Sequence, residues 1–211
     1  MTLLSSAARG AGKAFGDLEA FIATEAEARH IPGVAACIIR DEEFVWSHAH
    51  GFADIARKVP MSFDALQNIG SISKTVTTTA LMQLKEAGRV DLDADVNDYL
   101  PFAIRNPNHP DMPITLRHLL THVSSLRDGI SYAHLYACGD PKIALGDWMR
   151  DYFTPGARFY DAKENFQTWK PGETWDYCNL AYGILAYVVE RVSGEDFASF
   201  CRRTIFTPLK M

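Results

Sequence analysis

A pair of strand-like runs followed by a long series of helical patterns is what most limits how this chain can fold. Val34 to Ile39 is a short apolar run, and after the polar turn Arg40-Asp41-Glu42-Glu43 a second run extends from Phe44 to Phe52. Two such runs joined by a tight turn predict an antiparallel hairpin. Ahead of them, Phe15, Leu18, Ile22 and Ala26 recur at helical spacing, and Pro32-Gly33 closes that stretch. Asp54 to Ile69 then crosses over to a helix that opens near Ser71, with Ile72, Val76, Ala80 and Leu84 as its apolar stripe and Gly88 as its stop. Further helical patterns cover Thr115 to His122, Pro141 to Tyr152, Leu180 to Val192 with Gly194 as stop, and Phe197 to Ile205. Between them, Tyr152 to Trp175 reads as a long loop carrying Gly and Pro, the kind of segment that often lines a site. The segregation is α+β: a helix and hairpin over 1–70 and a mainly helical part over 71–211, read as one domain of 1–211 with no repeat and no separating linker.

The opening of the central helix carries chemistry. Ser71-Ile72-Ser73-Lys74 places a hydroxyl and an amine at i and i+3, on one helical face. A serine hydroxyl needs a base beside it, and an amine serves only where its surroundings hold it partly neutral. The helix start adds unsatisfied N–H groups and a positive dipole end, which favour an oxyanion over Ser71. Taken alone, the same four residues also read as a cap followed by a solvated lysine. Gly70, which permits a tight entry, and the apolar stripe behind it favour the chemical reading.

Tyr177-Cys178-Asn179 is the second element. A phenol beside a lysine loses its proton more readily, and can then move protons between Ser71 and a leaving group. The Asn179 amide can hold a lysine and a substrate carbonyl together. The plainer alternatives are an N-cap for Asn179, just ahead of Leu180, Ile184, Val188 and Val192, and a half-buried aromatic for Tyr177. A cysteine nucleophile at Cys178 would need a histidine partner that nothing local supplies, and Cys37, Cys138, Cys178 and Cys201, scattered without a C-x-x-C, read as reduced thiols. His118 and His122 stand four apart, and His48 and His50 alternate along a strand, but no H-E-x-x-H pattern or third ligand accompanies them, so no metal is expected.

From about Ile31 onward the chain resembles the serine β-lactamase and penicillin-binding family, in the branch of class C β-lactamases, D-alanyl-D-alanine carboxypeptidases and related esterases. Ser71-Ile72-Ser73-Lys74 matches the family's S-x-x-K, and Tyr177-Cys178-Asn179 matches the Y-x-N of that branch. HIPGVAACIIRDEEFVWSHAHGFAD resembles the opening strand pair, ITLRHLLTHVSSLRDG the LLTHTSGL segment with Val123 and Ser125 in place of Thr and Gly, and IFTPLKM the PLGM stretch. The resemblance implies a β-lactamase/transpeptidase-like fold, an antiparallel sheet with flanking helices beside a mostly helical region. It implies a serine hydrolase that works through an acyl-enzyme on a β-lactam, a D-amino-acid peptide or a small ester. Ser71, Lys74 and Tyr177 would be catalytic and Asn179 substrate-binding, with no cofactor. Such a family also carries K-T-G or H-x-G on an inner strand, and no such triplet follows Tyr177 here. The C-terminal part of the fold is therefore expected beyond Met211, and with it the second oxyanion donor, whose loss costs on the order of a hundred- to a thousandfold in rate. The alternative is a non-catalytic relative or a penicillin-binding sensor or scaffold.

Composition bounds the partners. A net charge of −5 with no basic cluster argues against a nucleic-acid surface and leaves a small molecule as the expected ligand. No stretch approaches the ~18 consecutive apolar residues of a membrane helix, and MTLLSSAARGAGKAF makes a poor signal peptide, so a cytoplasmic location is expected. A Val34–Ile39 strand without its sheet neighbours would keep an apolar edge, and self-association through it is expected.

Overall fold

The structure, a computed structural model, describes residues 15–136, 138–139 and 141–211, so the reading of the N-terminus as a poor signal peptide lies outside the described residues. The chain forms two compact units, Met1–Asn68 and Ile69–Met211.

In the first unit the helical stripe becomes α1 (Gly16–Ala28), and the two apolar runs become β1 (Gly33–Arg40) and β2 (Glu43–Asp54). They pair antiparallel with Ala35 opposite Ala49 and Arg40 opposite Glu43, and a two-residue strand β3 (Val59–Pro60) extends the order to β1-β2-β3. The hairpin loop is Asp41-Glu42, with φ of +54° and +65°. Positive φ at both central positions is the type I′ geometry whose twist suits a two-residue hairpin. Trp46, buried on β2, donates its indole N–H to the Glu19 carboxylate at 3.3 Å, which ties α1 to the sheet. Gly51 allows close approach of the backbone: at φ +78°, a Cβ there would stand 2.3 Å from the Pro32 carbonyl oxygen.

The second unit holds the main core. A 3₁₀ turn (Gly70–Ile72) leads into α2 (Ser73–Glu86), followed by α3 (Leu116–Leu120), α4 (Leu145–Phe153), α5 (Asn179–Ser193) and α6 (Phe197–Cys201), the last running into a π-helical turn over Arg202–Phe206. α5 packs against α2, α3, α4 and α6. Its buried face of Leu180, Ala181, Ile184, Leu185, Val188 and Val189 meets Leu81, Leu84, Leu119 and Met149 in one apolar cluster. Gly194, at φ +82°, ends α5 as the sequence anticipates.

Three expectations need correction. The apolar stripe of α2 is Thr77, Ala80, Leu81 and Leu84, with Val76 half-buried, whereas Ile72 is 63% exposed. The reason is helical phase: Ile72 sits in the 3₁₀ turn, where three residues per turn rather than 3.6 swing it off the core side. The helix over 115–122 is shorter, because His122 adopts φ +58°. The helix expected from Pro141 begins only at Leu145, its N-cap Ala144 being extended.

The segment 154–178 has almost no regular structure, yet buried amides hold it in place. Asn165 donates to the carbonyls of Tyr152 and Phe159, and Asn106 donates to the Ser125 hydroxyl and the Gln167 carbonyl. The Gly172 and Asp176 N–H groups donate to the carbonyls of Val123 and His122. Those bonds lay the segment along 122–127 and deliver Tyr177 to the start of α5.

Candidate functional site

Ser71, Lys74, Tyr177 and Asn179 meet in the second unit, although more than a hundred positions separate the two pairs. Gly70, at φ +51°, turns the chain into the 3₁₀ segment, and a Cβ there would meet nothing within 4 Å, so its role is conformational. Ser71 lies in that segment, one turn before the helix proper, and Lys74 is the second residue of α2. Asn179 is the first residue of α5, and Tyr177 stands two residues earlier, on the extended approach.

The polar contacts form a chain. Ser71 Oγ lies 2.5 Å from Tyr177 Oη; Lys74 Nζ donates to Ser71 Oγ at 3.2 Å and to Asn179 Oδ1 at 2.6 Å. The ammonium also lies 4.8 Å from the centre of the Tyr177 ring and 5.6 Å from that of Tyr182. Ser71 and Tyr177 are exposed, while Lys74 and Asn179 are half-buried, so the hydroxyls face solvent and the amine sits behind them. The donor reach of the Lys74 ammonium, then the bond with Ser71, holds the Tyr177 phenol below its ordinary pKa of 10.0. A hydroxyl in short contact with an acidified phenol, backed by an amine, is an arrangement for moving a proton off Ser71.

Aromatic and acidic side chains outside the S-x-x-K and Y-x-N motifs surround these four. The His122 ring packs against Tyr177 at 4.5 Å and Tyr182 at 5.2 Å, and its Nδ1 accepts from the Cys178 N–H at 3.2 Å. Burial first, and the Lys74 charge second, push His122 below the usual imidazole pKa of 6.5. His118 serves elsewhere, since its Nδ1 accepts from the Thr115 N–H and closes a capping box at the head of α3. The spacing that suggested a shared ligand pair thus supports two separate hydrogen bonds. His48 and His50 stack 6.3 Å apart on β2, in the other unit. The Cys178 thiol is fully buried, and burial raises its pKa well above the usual value. Asp128, which sequence reasoning passed over, accepts from Asn179 Nδ2 and the Asn179 N–H, each at 2.8 Å. A lone Asp fifty-one positions from its partner leaves no periodic or local signal.

Among known proteins, a family model described as Beta-lactamase matches residues 18–211. Esterase EstB of Burkholderia gladioli is 30% identical over 193 residues, which are 87% of this chain and 46% of that protein. The octameric penicillin-binding protein homologue from Pyrococcus abyssi superimposes with a TM-score of 0.73 at 29% identity, over 93% of this chain and 43% of that one. The D-amino acid amidase from Ochrobactrum anthropi SV3, solved with L-phenylalanine, gives a TM-score of 0.72 at 26% identity, over 93% of this chain and 50% of that one. The chain spans less than half the length of the curated relatives it matches.

Proposed function

The chain belongs to the beta-lactamase family, and from that membership we propose that it carries the nucleophile and proton-transfer groups of a serine hydrolase acting by acyl transfer on an ester or amide. The observation that carries this reading is the unbroken contact from Tyr177 Oη through Ser71 Oγ to Lys74 Nζ. A relative named as an esterase and a structural neighbour named as an amidase support the substrate class.

In this mechanism Ser71 Oγ bonds to the substrate carbonyl carbon as the Lys74–Tyr177 pair takes its proton. Lys74 Nζ and Tyr177 Oη both reach Ser71 Oγ, so either can receive the proton as it leaves. The developing oxyanion sits at the head of α2, where the Ser71 N–H and the helix dipole stabilise it. Collapse breaks the bond to the leaving group, which takes the proton back from Tyr177. Water then attacks the acyl-Ser71 ester and gives a proton to the same pair, which returns it to Ser71 Oγ as the ester bond breaks and the acid leaves. Asn179 holds Lys74 throughout and offers its amide to the substrate. No step requires a metal or an organic cofactor.

A cavity of about 300 Å³ opens beside Asn179, lined by Tyr132, Ile143, Leu145, Trp148, Met149 and Leu180. Such a lining suits an apolar group of a substrate. Self-association of the chain belongs to the same reading, through the β1 edge.

Labelling of the whole gene product that carries this chain tests the proposal. A fluorescent fluorophosphonate or penicillin should attach covalently to the parent and not to Ser71→Ala. If neither probe distinguishes the two proteins, the hydrolase reading is wrong. Attachment without release of product would instead favour a penicillin-binding sensor.

A further inference from the structure

Asp128 touches none of the groups that exchange protons, yet its two oxygens accept four hydrogen bonds at the edge of the site. Oδ2 takes the N–H and the side-chain Nδ2 of Asn179, each at 2.8 Å, and Oδ1 takes the Leu180 N–H at 3.0 Å and the Cys178 thiol at 3.3 Å. We propose that Asp128 is the positioning residue of the site: by gripping the nitrogen of the Asn179 amide it turns the amide oxygen onto Lys74 and so fixes where the base stands. This inference rests on the acyl-transfer reading given above.

The two ends of an asparagine amide are nearly the same size, so only their partners choose the orientation. An ammonium offers donors alone and a carboxylate acceptors alone. Lys74 therefore demands Oδ1, which it meets at 2.6 Å, and Asp128 demands Nδ2. Both demands are satisfied in one orientation, and each reinforces the other. With Asp128 replaced by a group that can also donate, Lys74 alone is left to hold the orientation, and each time the amide turns over its NH₂ faces the ammonium. Lys74 would lose the shorter of its two hydrogen bonds and be left with the 3.2 Å contact to Ser71.

A purely structural account competes with this one. The N-cap of α5 is Cys178, which provides no side-chain cap, so Asp128 also serves as the missing cap by accepting from the first two N–H groups of the helix. The two roles separate in a double-mutant cycle. A cap stabilises α5 whatever stands at 179, whereas a positioning role exists only while Asn179 has an amide to orient.

The experiment measures the rate of acylation by a fluorescent fluorophosphonate for the parent, Asp128→Asn, Asn179→Ala and the double variant. Each single change should slow acylation by roughly 10- to 100-fold, the scale of a ~1 Å misplacement of a catalytic group. The double variant should be no slower than Asn179→Ala alone. Losses that multiply in the double variant, or an Asp128→Asn protein that acylates like the parent, would overturn the proposal. The pH profile gives a second readout. Lys74, Asp128 and the His122 ring bear on Tyr177, and the negative charge of Asp128 opposes phenol ionisation. Asp128→Asn removes that charge and should move the ascending limb to lower pH, whereas Asp128→Glu keeps the charge and should leave the limb in place while still slowing acylation, so the slowing common to both reports the lost grip. Where Asp128→Asn does not fold, Asp128→Glu keeps the charge while moving the grip, and the same cycle applies. If the parent itself is inert, like Ser71→Ala, the hydrolase reading has failed. A crystal structure of the position-128 variant then decides alone: an intact Lys74–Asn179 contact refutes positioning, and a turned amide supports it.

Discussion

At the scale of single residues, the proposed chemistry turns on the contacts that Lys74 and Tyr177 make with Ser71. The lowered pKa of Tyr177 has the Lys74 ammonium as its largest cause and the Ser71 hydroxyl next. A phenol held this way ionises below 10.0, so the acylation rate should rise with pH along a limb lying under that value. Tyr177→Phe should remove that limb and slow acylation by about 100- to 10,000-fold, the usual worth of a positioned acid–base group. Rates measured between pH 5 and 10 would show it, and an unchanged limb would assign the titration elsewhere. His122 gives a second prediction. Burial holds its folded pKa below 6.5, so the unfolded chain takes up that proton first. Stability is then full above pH 6.5 and declines as pH falls from there toward the folded pKa. His122→Asn tolerates the φ of +58° and keeps an acceptor for the Cys178 N–H. Its melting temperature should accordingly fall less than the parent's between pH 7 and 5. The four motif residues are legible as S-x-x-K and Y-x-N in the order of a known family, since spacing alone suits a cap and a solvated lysine equally well. Asp128 and the His122 ring bond to partners more than fifty positions away, and contacts at that separation write no periodic pattern into a sequence.

At the scale of elements, spacing read the helices well and their ends poorly. α5 and the hairpin follow from period and turn residues, whereas Ile72 left its stripe because one 3₁₀ turn changes the angle per residue. Tyr152 to Trp175 reads as a long loop, since the Asn106 and Asn165 amides that secure it bond to backbone carbonyls in no periodic pattern, Asn106 reaching Gln167 from 61 positions away. The hairpin turn leads to a prediction of its own. Asp41 and Glu42 both occupy the left-handed region, where glycine or asparagine is the usual occupant. A side chain there costs about 1–2 kcal/mol before any local compensation, and part of that returns as chain entropy when glycine takes its place. Glu42→Gly should therefore stabilise the hairpin by about 0.5–1 kcal/mol, read from chemical unfolding followed by the fluorescence of the buried Trp46 on β2. Glu42→Pro, which cannot take that φ, should abolish the same transition.

At the scale of the whole molecule, apolar burial is divided unevenly between the two units. The large core cluster lies entirely within Ile69–Met211, whereas among the described residues of the first unit only Ala26 and Trp46 are buried apolar side chains. Ile38, Ile39, Phe44 and Phe52 of the hairpin remain exposed, Ile39 at 57%. β1 stands at the end of the sheet order β1-β2-β3, so among the described residues its outer row of N–H and C=O groups meets no strand. An apolar edge of this kind pairs with whatever strand is offered, and in a solution of this chain the strand offered is another copy. Association should then grow with concentration and involve β1 directly. A charge on an edge strand opposes such pairing because it would be buried by it, and Ile39 already faces solvent, so Ile39→Lys costs little within the unit. Sedimentation of the 211-residue chain over a range of concentrations should show the parent shifting to larger species while Ile39→Lys stays near 23.5 kDa. A parent that sediments as a monomer throughout would mean that the β1 edge is protected in solution, and the association proposed here would fall with it.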